Sequence, residues 1–406
     1  MANGCADMAD DSFWSECLAD VLPAADAPYR INHVRSRASK AVQLTRAAAK
    51  ADEDAVHPTT HLVVLTAGDV HVYALEALVY DNRDCTTVFV AKADSTGYGA
   101  GLRLAEVTAR VVRALVEAVS RPGLDTRVCL FARAQAQYLF PNSAKNKAKH
   151  VLGDRQLIRW WARALTPVLA AFEPPAAARL MIPGESGPEV RAFFPPRPAD
   201  ARTWWDEGEI FGGQAAAAPA LQCVPFFPDD PKSRFLESLI AEHRAQTSAR
   251  QFFLELETRQ EFRLGFVVGL FGVAGRVVRT RPAPAAPLDE RAFARLHECM
   301  TTSDYATRAG AANATAEFAA AVPAAAVAEV RGRRPATQAA ATAPAPAEPT
   351  VLGAGLVRRK PTAVDDLVRR KPVNTLDAGL VRRKDKDKAH PPPAADVKDA
   401  KRARNV

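Results

Sequence analysis

The sequence predicts an α+β fold: a central mixed, mostly antiparallel sheet wrapped by helices, with a disordered basic C-terminal tail. Three observations predict it. Strand-like runs crowd into residues 61–94, helical periodicity takes over from 102, and the composition changes near 320. SFWSECLADVLP (12–23) places Phe13, Trp14, Cys17, Leu18, Val21 and Leu22 at helical spacing behind Ser12, so a short capped helix ended by Pro23 is expected. HLVVLTAGDVHVYALEALVYD (61–81) reads as two strands around a Gly68-Asp69 hairpin turn, and TTVFVAKAD (86–94) adds a third. Residues 102–119 carry apolar side chains on a 3.6-residue period, TRVCLFAR (126–133) is strand-like, and 154–172 is a second helix closed before Pro174-Pro175. Residues 232–264 read as helix in two pieces.

The end of the chain is different in kind. From about 319 it runs AAAVPAAAVAEV and PATQAAATAPAPAEP, an Ala/Pro composition that offers little to a core. The expected organisation is a domain over 1–320, a linker over 321–350 and a disordered tail over 351–406. The tail holds GLVRRKP, DLVRRKP and GLVRRKD, beginning at 355, 366 and 379. Units so short and polar read as linear motifs rather than a solenoid. Charge follows the same division. Of 54 Lys and Arg, 15 lie in 351–406, as do 7 of 46 Asp and Glu, leaving 39 of each sign before the tail. A neutral body with a basic tail points to an acidic partner, an import receptor or weak DNA contact for the tail.

Six scattered cysteines with no CxxC argue against zinc and against a disulfide framework, so a reducing compartment is expected. The acidic N-terminus is unlike a signal peptide, and the longest apolar run, LGFVVGLFGVAG (264–275), is too short to span a bilayer. The expectation is a soluble intracellular protein without membrane contact.

No Walker loop, GxSxG elbow or HExxH occurs, and GYGAG (97–101) lacks the Lys-Ser/Thr ending of a phosphate loop, so it reads as a tight turn. CLFARAQAQYLFPNSAKNKAKHVLGDRQLIRWWARAL (129–165) is denser. A strand runs into aromatic residues, a Pro-Asn-Ser turn, the cations Lys145, Lys147, Lys149 and His150, and a helix bearing Trp160 and Trp161. Cations and free amides at a helix start suit the phosphates of a polyanionic cofactor; the spacing alone favours a solvated basic loop. Asp94 in VAKADSTGY has the pattern of a turn carboxylate at a strand end. In VPFFPDDPKSRF (224–235), three prolines exclude a mid-helix or central strand, and Asp229 and Asp230 sit among phenylalanines with Lys232 as the local partner. An Asx-turn with surface charge is the alternative there.

Taken together, VAKADSTGY, CLFARAQAQYLFPNSAKNKAKHVL, IRWW, IPGE (182–185), PFFPDDPKSRF and RQEFRL (259–264) resemble, in order and nearly in wording, the fungal "regulator of Ty transposition" histone acetyltransferase family. These enzymes are distant relatives of the CREB-binding-protein acetyltransferases. The resemblance spans roughly 12–320. It implies acetyl-CoA in a cleft, no metal, and a tunnel for the substrate lysine beside the cleft. Carried over by position, Phe131, Arg133, Gln135, Tyr138, Lys149, His150 and Trp160 fall on cofactor-binding positions, Trp161, Asp94, Asp229 and Asp230 on catalytic ones, and Lys232 on an autoacetylated lysine. Gln135 stands where a small residue is usual, and only about 30 residues separate VAKAD from CLFAR, so a long loop of the family is absent.

The resemblance further implies transfer of acetyl to newly made histone H3, met as an H3–H4 dimer with a histone chaperone in the nucleus. Replication-coupled nucleosome assembly, DNA damage response and transcription regulation belong to the same expectation. The alternatives are a catalytically weak, chaperone-associated scaffold and a metal-dependent hydrolase using Asp94, Asp229 and Asp230. The absence of further clustered acids and histidines counts against the hydrolase.

Overall fold

A computed structural model describes residues 8–46, 55–211, 217–256, 258, 266–281 and 285–335. The chain divides into two units, Met1–Ala341 and Thr342–Val406, and all described residues belong to the first. The LVRRK motifs, the rest of the expected tail, and RQEFRL lie outside the described residues.

Helix α1 (Met8–Leu18) precedes strand β1 (Tyr29–Ser36). The helix stops earlier than Pro23, which has no N–H for the Ala19 carbonyl, and the carbonyls of Ala19 and Leu22 accept instead from the Arg333 and Arg334 amides, at 2.7 and 3.0 Å. Short strands β2 (Val42–Gln43) and β3 (Ala55–Val56) pair with each other. The meander β4 (Thr59–Ala67), β5 (Val70–Asp81), β6 (Cys85–Ser95) follows the three strand-like runs read from sequence, and Gly68, at φ 60°, supplies the left-handed residue of the first turn.

Helix α2 (Leu104–Val119) then crosses over the sheet and returns the chain as β7 (Asp125–Ala132), parallel to β6. It buries Val107, Val111, Val112, Leu115 and Val116, the stripe its 3.6-residue period predicts. Helix α3 (Asp154–Leu165) ends in a 3-10 turn over Thr166–Ala171, where Pro167 has no N–H to continue the helix expected to 172. Next come β8 (Ala177–Met181), the one-turn helix α4 (Pro188–Arg191), β9 (Asp206–Glu207), the one-turn helix α5 (Ala220–Cys223), α6 (Pro231–Ala241) and α7 (Ala249–Leu256). Strands β10 (Gly269–Arg276) and β11 (Ala286–Leu288), helices α8 (Glu290–Thr302) and α9 (Arg308–Ala321), and β12 (Val327–Val330) complete the fold.

Among the described residues, ten strands form one sheet in the order β11-β1-β4-β5-β6-β7-β10-β8-β9, with β12 also on β1. Pairs β1–β11, β6–β7 and β8–β9 are parallel and the others antiparallel, so the sheet is mixed and mostly antiparallel as the sequence predicts. Strand β5 is buried along nearly its whole length because helices cover both faces. An extra residue in β5, Val72, lets the Tyr73 hydroxyl meet Thr108 of α2 at 2.9 Å while His71 packs edge-on against Phe318 of α9. The linker expectation needs correction at its start: Val327–Val330 pairs antiparallel with Tyr29–Asn32, and Ala328 and Val330 are buried. Two β-branched valines, Val327 and Val330, flank Ala328 and Glu329 and carry that strand inside an alanine-rich composition.

Candidate active site

Strands β6 and β7 run side by side only as far as the Val90–Leu130 pair. At that level β6 carries a bulge. Glu76 of β5 pairs with Lys92, Ala77 pairs with Val90, and Ala91 is left as the extra residue. A bulge bends and re-aims its strand, and beyond it Ala91–Ser95 and Phe131–Arg133 face each other across a cleft of about 210 Å³. Loop residues Gln135, Tyr138, Lys149 and His150, and Leu157, Trp160 and Trp161 of α3, form the remaining walls. Thus residues from 91 to 161 that carried the sequence reading converge on one cavity.

Asp94 organises that cavity. Its carboxylate is buried and accepts from the backbone N–H groups of Ser95, Tyr138, Leu139 and Phe140, at 2.7–3.1 Å, and from Lys149 Nζ at 2.7 Å. Lys149 Nζ also donates to Ser143 Oγ at 2.7 Å. Buried charges persist only when paired and hydrogen-bonded, and here both are. Asp94 thus has the bonding its strand-end pattern suggests, and the Lys149 ammonium is paired with it where both line the cleft. Gly97 completes the junction: at φ 85°, a Cβ there would meet the Lys149 backbone nitrogen at 2.6 Å.

Tyr138 staples the loop. Its hydroxyl accepts from the Gln135 N–H at 2.9 Å and donates to the Arg133 carbonyl at 2.6 Å. Burial, with a contribution from the Asp94 charge, pushes the phenol up to about 12, so it stays protonated as this donor. The Arg133 guanidinium makes no ion pair with a described residue, and Gln135 and His150 are exposed along the cleft. Trp160 and Trp161 meet edge to face with centroids 4.9 Å apart; Trp161 is buried and Trp160 half-buried.

The PFFPDDPK stretch borders a second cavity, of about 360 Å³, lined by Asp229, Asp230, Glu76, Lys92, His297 and Phe293 among others. Ala91, Lys92 and Phe131 line both cavities. The expectation that Asp229 and Asp230 share one setting among the phenylalanines needs correction. Asp230 is 2% exposed, whereas Asp229 is exposed, at φ 57°. Asp230 is the N-cap of α6 with Pro231 at the first helical position, a signature present in the sequence. Its Oδ1 accepts the Lys232 N–H at 2.9 Å and its Oδ2 pairs with the Lys232 ammonium. That ammonium lies 5.6 and 5.8 Å from the ring centroids of Phe131 and Phe227. Ser233 Oγ bonds both the N–H and the carbonyl of Phe227, at 2.8 Å each, and Phe227 stacks on Phe89. Trp161 and Asp230 thus border different cavities.

Sequence reading missed Glu76, Lys92 and His297. Glu76 is buried, with Lys92 Nζ 3.2 Å from Oε1 and His297 Nε2 2.6 Å from Oε2. Burial raises its carboxyl, but the His297 hydrogen bond and the Lys92 charge together bring it below the usual range. A glutamate inside an apolar strand pattern was the available signal.

The chain matches the histone acetyltransferase KAT11-type domain over residues 14–121 and 105–321. It belongs to that family. It is 33% identical to the histone acetyltransferase rtt109 of Aspergillus flavus over 308 residues, 63% of this chain and 54% of that protein. It is 40% identical to RTT109 of Candida albicans over 149 residues, 36% of this chain and 38% of that protein. The chain therefore spans about half the length or less of these two curated relatives. The crystal structure of Rtt109 from Aspergillus fumigatus superposes with a TM-score of 0.69 at 30% identity, covering 79% of this chain and 99% of that one. Family membership and the splayed strands agree: the KAT11-type match covers both walls of the cleft and the PFFPDDPK stretch. Among the described residues no cluster of acids, His and Cys has the makings of a metal site.

Proposed function

We propose that the cleft between β6 and β7 binds acetyl-CoA and that the chain acetylates lysines of newly synthesised histone H3. The observation that supports this reading is the shared wall of Ala91, Lys92 and Phe131, which joins a cavity suited to the cofactor to one suited to the acceptor. The cleft suits a narrow amide-bearing arm. Ala91, Ala93, Ala132 and Ala136 keep it open, and the facing strand edges beyond Val90 and Leu130 have no ladder bonds to each other. The Arg133 guanidinium and the His150 ring are available to phosphates, and Phe131, Tyr138, Trp160 and Trp161 supply apolar walls.

The cosubstrate contributes an activated thioester; the chain contributes placement. An acceptor lysine has a pKa of about 10.4 in water, and the apolar side chains of the second cavity, Leu78, Phe89, Phe131 and Phe293, favour its neutral form. Holding that amine against the thioester makes attack unimolecular, an effect worth as much as about 7–11 kcal/mol. Asp230 keeps Lys232 and the start of α6 in place, and Asp229 offers an exposed carboxylate to the incoming ammonium. Lys232, buried beside Phe131, is the proposed autoacetylated lysine: acetylation would remove its charge and its pairing with Asp230. The proposed setting is the nucleus, with H3–H4 delivered by a histone chaperone, in replication-coupled assembly and the DNA damage response. The tail motifs would serve an import receptor or weak DNA contact.

The test is calorimetry with acetyl-CoA followed by acetylation of chaperone-delivered H3–H4. Micromolar binding lost in Trp161→Ala, with transfer lost in parallel, is the expected result.

A further inference from the structure

The second cavity holds a pair that the acetyl-transfer reading leaves unused. His297, on α8, is 30% exposed in its side chain, stacks near Phe293, and places Nε2 2.6 Å from Oε2 of the buried Glu76. A carboxylate so close selects the tautomer with the proton on Nε2, which leaves the Nδ1 lone pair as an acceptor. No described residue hydrogen-bonds Nδ1, and it is not among the buried unpartnered atoms. Glu76 is anchored from its other oxygen by Lys92, whose Nζ lies 3.2 Å from Oε1 and which lines both cavities. Carboxylate, imidazole and an open ring nitrogen are the parts of an oriented general base.

We propose that Glu76 and His297 form the proton-accepting pair for acetyl transfer, with His297 Nδ1 receiving a proton from the acceptor lysine in the second cavity and Glu76 fixing the imidazole. The proposal rests on the acetyl-transfer reading of the adjoining cleft. The acceptor arrives as an ammonium, drawn by the exposed Asp229 carboxylate on the same cavity. It gives one proton to Nδ1 and becomes a neutral amine. The nitrogen attacks the thioester carbonyl carbon, the C–N bond forms, and the C–S bond breaks. The leaving thiolate takes the second proton from the amide nitrogen, and the imidazolium returns its proton to water. The charged groups facing His297 are Glu76 from β5, Lys92 from β6, and Asp229 and Asp230 from the turn before α6. Glu76 touches no reacting atom; it is a positioning residue.

A purely structural role is the competing account, since a buried glutamate needs partners and Lys92 and His297 satisfy it. His297→Gln separates the two, because glutamine can still donate to Glu76 but cannot accept a proton at that position. In the full chain, with H3–H4 as acceptor, His297→Gln is expected to lower kcat about 100-fold. Its acetyl-CoA affinity and urea midpoint should stay at the unsubstituted values. In His297→Ala, added imidazole should restore at least a tenth of the lost rate, by an order-of-magnitude expectation for general-base replacement. If the unsubstituted chain transfers acetyl and His297→Gln keeps its kcat within about twofold, the pair is overturned while acetyl transfer stands. A kcat loss that imidazole does not restore, or that follows a fall in acetyl-CoA affinity, also overturns it. An unsubstituted chain that neither binds acetyl-CoA nor acetylates histone fails at the level of the proposed function.

Discussion

Lys149 Nζ lies 2.7 Å from Asp94 Oδ1, and both side chains are at most 5% exposed. This ion pair joins the end of β6 to the loop before α3, and both residues line the cleft. Removing one partner of a buried pair costs about 3–5 kcal/mol because the other charge is stranded. Asp94→Ala is expected to lower stability by that amount in urea denaturation, and to weaken acetyl-CoA binding by loosening Tyr138–Phe140. Asp94→Asn with Lys149→Met should cost less than the two single changes added together.

Adjacent aspartates should behave differently. Asp230→Ala removes an N-cap, worth about 1 kcal/mol, and strands the buried Lys232, so a total loss of about 3–5 kcal/mol is expected. Asp229 is exposed at φ 57°, and Asp229→Gly should leave stability within about 0.5 kcal/mol. Thermal unfolding of the two variants checks this; equal losses would contradict the assignment of Asp230 alone to the buried site.

Acid should unfold the protein through its buried histidines. Burial pushes His61 down to about 4 and His71 to about 3, and holds His33 well below its ordinary value, with further lowering by neighbouring charges. Unfolded imidazoles take up protons below about 6.5. Between that value and the folded ones, the unfolded state binds more protons, so stability is full above about 6.5 and falls as pH drops. The slope is about 1.4 kcal/mol per pH unit for each imidazole. Urea midpoints from pH 8 to pH 4.5 should show this fall, and His71→Gln should make it shallower.

Cysteine reactivity offers a check on the sheet. Cys129, on β7, is buried, and burial pushes its thiol up to about 12, far from thiolate formation at neutral pH. Iodoacetamide should label the partly exposed Cys223 and Cys299 first and reach Cys129 only on unfolding. Rapid labelling of Cys129 in the native protein would contradict the β6–β7–β10 arrangement.

Much of the fold was legible because periodicity records burial. The apolar runs of 61–94, broken at Gly68-Asp69, marked the meander, and the stripe along 102–119 marked α2. What those runs could not show was the bulge at Ala91, since one extra residue leaves little trace in an apolar run, yet that residue coincides with the opening of the cleft. Motif wording located Trp160, Trp161, Arg133 and the PDDPK turn, but wording carries no partners. It could not show that Lys149 is held by Asp94, that Asp229 faces water, or that His297 comes back 221 residues later to meet Glu76. The strand at 327–330 was hidden because composition averages over a window longer than four residues.

The measurement that bears most directly on the central claim is acetyl transfer from acetyl-CoA to chaperone-delivered H3–H4 by the full chain, beside Trp161→Ala, with acetyl-CoA binding measured on the same samples. The account predicts binding and transfer by the unsubstituted chain and loss of transfer of at least about 100-fold in Trp161→Ala. Tight acetyl-CoA binding without transfer would leave a scaffold, and transfer undiminished in Trp161→Ala would contradict the cleft between β6 and β7 as the site of the chemistry.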